Sequence, residues 1–242
     1  MPGAVEGHGD GMTTTLITGA NKGLGHETAR RLLADGHDVW VAARDPERGQ
    51  AAAEELGARF VLLDVTDAAS VAAAVETVRA AGTGLDVLIN NAGIIGAHAA
   101  VPDTTVENVE EVYATNVFGL IRVTQAFRPL LEESERPVVV NVSSGLGSLA
   151  VTSDPDRLES TIVTLAYTSS KSAVNMLTAQ YAKAYPAMRI NVVDPGYTAT
   201  ALNGHQGPQT VTEGTDAIVR MATVGPDGPT GTYSDRHGAV GW

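Results

Sequence analysis

The chain has 242 residues, is 43% hydrophobic and 18% charged, and carries a formal net charge of −12. That acidity argues against nucleic-acid partners and anionic membrane surfaces, which need a basic face. The absence of cysteine excludes disulfides, Cys-type zinc sites and thiol catalysis, and no run approaches the roughly 18 apolar residues of a membrane span. Residues 1–12 are glycine-rich and lack an apolar stretch, so they read as a disordered leader rather than a signal peptide. Residues 13–242 then form one domain of a protein expected in the cytoplasm.

Beyond the leader, short apolar runs alternate with alanine-rich amphipathic segments. Thr14–Thr18 reads as a buried strand, followed by a glycine-rich turn at Gly19–Gly25 and a helix through Ala34. Asp38–Ala43 is a second strand, and Pro46–Leu56 a helix capped by Asp45; Arg59–Leu63 is a third strand, and Ala68–Ala81 a helix capped by Asp67. Leu85–Asn90 is a fourth strand, Val106–Leu131 one long helix, and Arg136–Val142 a fifth strand. Ala166–Tyr185 is a second long helix, Arg189–Val193 a sixth strand, Val211–Thr223 a last helix, and Gly231–Ser234 a seventh strand. Strands apolar on both faces and joined by helices predict an α/β fold. The expected architecture is a single doubly wound (Rossmann) domain, with about seven parallel strands and helices on both faces. Ligand sites in such a sheet lie beyond the carboxyl ends of its strands.

The loops at those ends carry the chemistry. The turn Gly19-Ala20-Asn21-Lys22-Gly23-Leu24-Gly25 precedes a helix, whose free N–H groups and dipole suit a pyrophosphate. A glycine turn with no ligand is the alternative. After the second strand stands Arg44, where a carboxylate would select the ribose 2′-hydroxyl of NAD; with Lys22 it favours the 2′-phosphate of NADP. Arg44 as a solvated surface residue is the competing reading. Asp64 and Val65 follow the third strand, Asp64 either accepting from an adenine amino group or capping a helix. Asn90-Asn91-Ala92-Gly93 ends the fourth strand, with small residues that admit a ribose and asparagines that tie neighbouring strands.

Tyr167 and Lys171 are four apart in a helical segment and so share one face. With six tyrosines and three lysines in the chain, such a pair is rare by chance. A neighbouring ammonium is expected to lower the phenol pKa from about 10 toward neutrality. Ser144, after the fifth strand, is placed to hydrogen-bond a carbonyl oxygen gaining negative charge. Asn116, inside the long fourth crossover, either hydrates a kink or holds a water for proton relay. The histidines at 8, 26, 37, 98, 205 and 237 supply neither a triad nor metal-ligand spacing, so no metal is expected.

Thr18–Gly25, Asn90–Gly93, Asn116, Ser144, Tyr167-Thr168-Ser169-Ser170-Lys171 and Pro195-Gly196 stand in the order and spacing of the short-chain dehydrogenase/reductase family. The chain resembles that family from Thr13 to its end, and within it the NADPH-dependent carbonyl reductases. The resemblance implies a catalytic tetrad of Asn116, Ser144, Tyr167 and Lys171. It implies a cofactor site of Gly19, Asn21, Lys22, Gly23, Leu24, Arg44, Asp64, Val65, Asn91, Ala92, Gly93, Tyr167, Lys171, Pro195, Gly196, Thr198 and Thr200. The implied reaction is hydride transfer from NADP(H) to a ketone, aldehyde or quinone, with Tyr167 as general acid and Asn116 placing the water that resupplies the proton. A 3-oxoacyl or polyketide ketoreductase shares these residues, although net −12 suits acyl-carrier docking poorly; an NADP-binding sensor without turnover is a third reading. Substrate lining is expected from Ile94–His98, Leu146–Val151, Asp154–Leu165 and Tyr197–Gln206, mostly small or apolar. The segment Ser153–Val163 lengthens the interval between Ser144 and Tyr167. By analogy with monomeric carbonyl reductases it is expected to cover part of the helix face used for pairing, which favours a monomer slightly over a homodimer.

Overall fold

A computed structural model describes residues 12–97 and 99–242. The predicted leader therefore lies outside the described residues except for Met12, and so does His98 of the expected substrate lining.

Seven strands form one sheet: β1 (Thr14–Thr18), β2 (Asp38–Ala43), β3 (Arg59–Leu62), β4 (Val87–Asn90), β5 (Val138–Val142), β6 (Arg189–Val193) and β7 (Tyr233–Ser234). Their order is β3-β2-β1-β4-β5-β6-β7, and every pairing is parallel. The inner strands bury both faces, since successive side chains point to opposite sides, whereas the edge strand β3 leaves Arg59 and Leu62 exposed. Leu16, Trp40, Leu88, Val139 and Ile190 pack on the side of α3 (Ala68–Ala80), α5 (Leu120–Glu132) and α7 (Leu165–Ala184). Ile17, Val39, Ile89 and Val140 pack with α1 (Gly23–Ala34), α2 (Pro46–Leu56) and α9 (Asp216–Ala222). The strand order reverses between β1 and β4, and this opens a crevice above their carboxyl ends.

Asp45 and Asp67 cap α2 and α3 as predicted, accepting from the backbone of Arg48 and Ala69. Strand and helix ends differ from the expected ones by a residue or two, the ordinary scatter of element boundaries. Two helices depart further. The predicted Val106–Leu131 helix is α4 (Val106–Tyr113), a π-helical turn at Ala114–Gly119, and α5. Asn116 lies in that widened turn with its amide committed to the loop after β4, an arrangement typical of π-bulges at functional sites. The predicted Val211–Thr223 helix is split into α8 (Val211–Gly214) and α9 at Thr215. Arg31 of α1 reaches the break, donating to the Thr212 carbonyl at 2.9 Å and the Asp216 carboxylate at 2.8 Å. It thus satisfies a carbonyl at the end of α8 and an acid at the start of α9.

The inserted Ser153–Val163 follows a single turn, α6 (Leu149–Thr152), and contains a short 3-10 turn at Leu158–Thr161. It lies against α6 and the turn after β5. On the outer side of the π-helical turn and α7, Phe118 remains 51% and Met176 60% exposed. The insertion therefore leaves at least this part of that face open.

Candidate active site

The crevice is a cleft of about 290 Å³ running from the glycine turn to α7. One end is built on the β1–α1 turn. The first N–H groups of α1 have no side-chain cap, in contrast to α2 and α3, and Asn21, Lys22, Gly23 and Leu24 line the cleft there. Uncapped donors at the positive end of a helix dipole form an anion site. Gly19 adopts φ +65°, and a Cβ on it would meet the Ala92 backbone at 3.1 Å, so the turn can lie this close to β4 only as glycine. Asn91 holds the two strands together, donating to the Thr18 carbonyl at 2.8 Å, while Thr18 Oγ1 accepts from the amides of Asn91 and Ala92.

Arg44, Asp64 and Val65 line the same end. Asp64 is not the cap of α3; its carboxylate accepts from the Thr66 amide at 2.9 Å and the Thr66 hydroxyl at 2.7 Å. Burial opposes its charge, but the Thr66 bonds and the guanidinium groups of Arg44 and Arg122 outweigh that and hold the carboxyl below its ordinary range.

At the other end Ser144, Tyr167 and Lys171 converge. Tyr167 stands in the first turn of α7 and Lys171 one turn later, with the Lys171 ammonium 5.7 Å from the Tyr167 ring centre. Lys171 Nζ donates to the Val142 carbonyl at 2.8 Å, which fixes the ammonium at the end of β5. Ser144 begins the turn after β5, and its side chain hydrogen-bonds the Tyr167 phenol. Tyr233 donates to the Ser144 carbonyl at 2.7 Å and steadies that turn from β7.

The expected lowering of the phenol pKa is not found. Burial pushes Tyr167 up to about 12, and the Asp194 anion adds to this, with only the Ser144 hydrogen bond opposing. Lys171 shares the burial and is drawn down to about 8, opposed by Asp194. Helical spacing sets the ammonium near the phenol, but the desolvation that both groups undergo depends on the packing around them.

The turn Gly145–Gly147 presses directly on α7. A Cβ on Gly147 would stand 2.7 Å from the Lys171 backbone. The substitution Gly147→Ala is therefore expected to destabilise the fold by about 1–3 kcal/mol, in the range of overpacking. Denaturant unfolding measures this, and an unchanged midpoint would contradict the close contact.

Asn116 joins the constellation from the π-helical turn. It is 2% exposed, accepts from the Ile94 amide at 2.9 Å, and donates to the Ile94 carbonyl and to Ser170 Oγ. Its amide pins the loop after β4, next to Gly93 and Lys171. Pro195 and Thr200 border the cleft beside Lys22 and Gly23. Gly196 and Thr198 lie behind this lining. Thr198 is buried, donates to the Pro195 carbonyl at 2.9 Å and so braces the loop internally. Residues not singled out from sequence, among them Thr66, Thr115 and Ser143, complete the walls together with Leu202 of the expected Tyr197–Gln206 lining. Loop length brings Thr66 there, and no local pattern marks it.

Comparison with known proteins gives this geometry a lineage. A family model described as short chain dehydrogenase matches residues 13–210. The chain belongs to the short-chain dehydrogenase family. Among its relatives, (−)-isopiperitenone reductase of Mentha piperita is 32% identical over 304 aligned residues, covering 93% of this chain and 96% of that protein. The solved structure of menthone neomenthol reductase from Mentha piperita superposes with a TM-score of 0.77 at 30% identity, over 93% of this chain and 99% of the other. Salutaridine reductase from Papaver somniferum gives 0.80 at 28% identity, with the same coverage. In this dehydrogenase no helix among the described residues is long and apolar enough to cross a membrane.

Proposed function

We propose that this dehydrogenase is an NADP(H)-dependent carbonyl reductase acting in the cytoplasm on a small, fairly apolar ketone, aldehyde or quinone. The observation that carries the reading is the convergence of Ser144, Tyr167 and Lys171 at one end of a cleft whose other end offers Lys22, Arg44 and the uncapped start of α1. Those features fit a dinucleotide: N–H donors for a pyrophosphate, cations for a 2′-phosphate, and small residues at Ala92 and Gly93 against a ribose. When bound, the reduced nicotinamide supplies the hydride. The rest of the chemistry belongs to the chain.

Ser144 donates to the substrate's carbonyl oxygen and stabilises the negative charge that develops there. Tyr167 gives that oxygen its proton. A phenol held at about 12 is almost entirely protonated at neutral pH and is ready as a donor. Lys171, charged below about 8, stands beside the phenol and compensates the negative charge left on it. Asn116 fixes the Ile94 loop opposite, and with its remaining acceptor capacity it orients a water that returns the proton. The reductase relatives support the reaction class.

The test is oxidation of NADPH, followed by absorbance, with purified protein against a panel of ketones, aldehydes and quinones. Carbonyl-dependent oxidation is expected for apolar members of the panel. Tight NADPH binding with no turnover of any member would mean a sensor rather than a reductase.

A further inference from the structure

Asp194 takes no part in the reaction described above, yet it lies directly beneath it. It is 5% exposed, and its Oδ1 accepts the Gly196 amide at 2.8 Å. The backbone of Gly145, next to Ser144, bonds to the same carboxylate. A Cβ on Gly145 would come within 2.9 Å of Asp194 Oδ2 and 3.0 Å of Glu159 Oε1. One buried carboxylate thus joins the turn bearing Ser144 to the Pro195-Gly196 turn. A second carboxylate, from the inserted segment, closes over it.

We infer that Asp194 is a positioning residue of the proposed reduction, a buried carboxylate fixing the Ser144-Gly145 turn against the Pro195-Gly196 turn. The inference rests on the reductase reading. The groups that face Asp194 come from four places: Glu159 and Arg157 of the insertion, Tyr167 and Lys171 of α7, Tyr233 of β7, and Asp235 just after it. Arg157 is engaged with Glu159 at 3.3 Å. Burial raises the carboxyl pKa of Asp194, two backbone bonds work against this, and the charges of Glu159 and Asp235 add to the rise. Its influence on α7 has a single sign, because an anion makes proton loss harder for an ammonium and for a phenol alike. Without that charge, burial alone would act on Lys171, and the ammonium would be lost nearer neutrality.

Asp194→Asn separates charge from shape. The readout is NADPH affinity, followed by fluorescence of the bound nucleotide across neutral and alkaline pH, which needs no carbonyl turnover. In the unmutated protein the affinity is expected to fall as Lys171 deprotonates at about 8. In Asp194→Asn the midpoint should lie about one pH unit lower, the size of shift a nearby charge produces, with affinity at low pH close to that of the unmutated protein. A folded variant with an unmoved midpoint overturns the inference. Glu159→Gln provides a second test if the asparagine variant does not fold, since Glu159 is partly exposed and lies outside the core. Removing its charge lets Asp194 ionise more readily, so the acid limb of carbonyl turnover should move to lower pH. An acid limb that stays in place overturns the inference as well. Absence of turnover by the unmutated protein, with the titration midpoint still moved in Asp194→Asn, would instead count against the reductase reading, while the action of the Asp194 charge on Lys171 would stand.

Discussion

Tyr167→Phe is expected to lower the rate of carbonyl reduction by a hundredfold or more, the usual loss when a positioned general acid is removed. That corresponds to at least about 2.7 kcal/mol of transition-state stabilisation. The substitution is conservative in every other respect. Tyr167 is 9% exposed, and its ring, which Lys171 approaches at 5.7 Å, remains in place. NADPH affinity should therefore change little, and the loss should appear in kcat. The pH profile separates the phenol from its neighbour. With Tyr167 at about 12 and Lys171 at about 8, the alkaline decline of reduction should follow the lysine, while the reverse oxidation, which needs the phenolate as base, should keep rising with pH. Steady-state turnover in both directions, with folding checked by circular dichroism, measures this. Turnover of Tyr167→Phe at the rate of the unmutated protein would remove the general acid from the mechanism.

What could be read from the residues and what could not divide along physical lines. Apolar runs such as Val138–Val142 have no amphipathic alternation and can only be strands covered on both faces, so the doubly wound sheet followed from them. Asp45 and Asp67 announced the starts of their helices because capping is local chemistry. The i, i+4 spacing of Tyr167 and Lys171 survived intact because a helix fixes it. The π-helical turn around Asn116 was hidden, since it exists to satisfy hydrogen bonds with Ile94 and Ser170, at separations of 22 and 54 residues. The break between α8 and α9 depends in the same way on Arg31, far away in the chain. The phenol's pKa was misjudged for a related reason. Spacing shows which charge is adjacent, whereas burial depends on every segment packed around it, and here burial is the largest influence on the phenol and raises it. Asp194 carries no local signal of its role, because only the folded chain brings Gly145 and Glu159 to it.

The second large effect is expected in the choice of nucleotide. β2 ends at Ala43, and the next residue is Arg44, so no carboxylate stands where a ribose 2′-hydroxyl would be gripped. The next acid in the chain, Asp45, is occupied as the cap of α2, accepting from the Arg48 amide at 3.0 Å and pairing with its guanidinium at 3.3 Å. Arg44 and Lys22 are both exposed in the lining of the cleft, Lys22 in the β1–α1 turn and Arg44 after β2, and are expected to hold a 2′-phosphate. Hydrogen bonds to a charged group contribute about 1.5–3 kcal/mol each, so the unmutated protein is expected to favour NADPH over NADH by at least about tenfold in kcat/KM. Being exposed, the two cations should lose part of that preference at high salt. Arg44→Asp combined with Lys22→Ala replaces attraction by repulsion at the phosphate and offers a carboxylate to the 2′-hydroxyl. The preference should disappear or invert, with the loss concentrated in KM for NADPH because neither residue is near Tyr167. Initial rates with both nucleotides decide the matter: equal kcat/KM for NADPH and NADH in the unmutated protein would show that Arg44 is a solvated surface residue and that the cleft does not select for the phosphate.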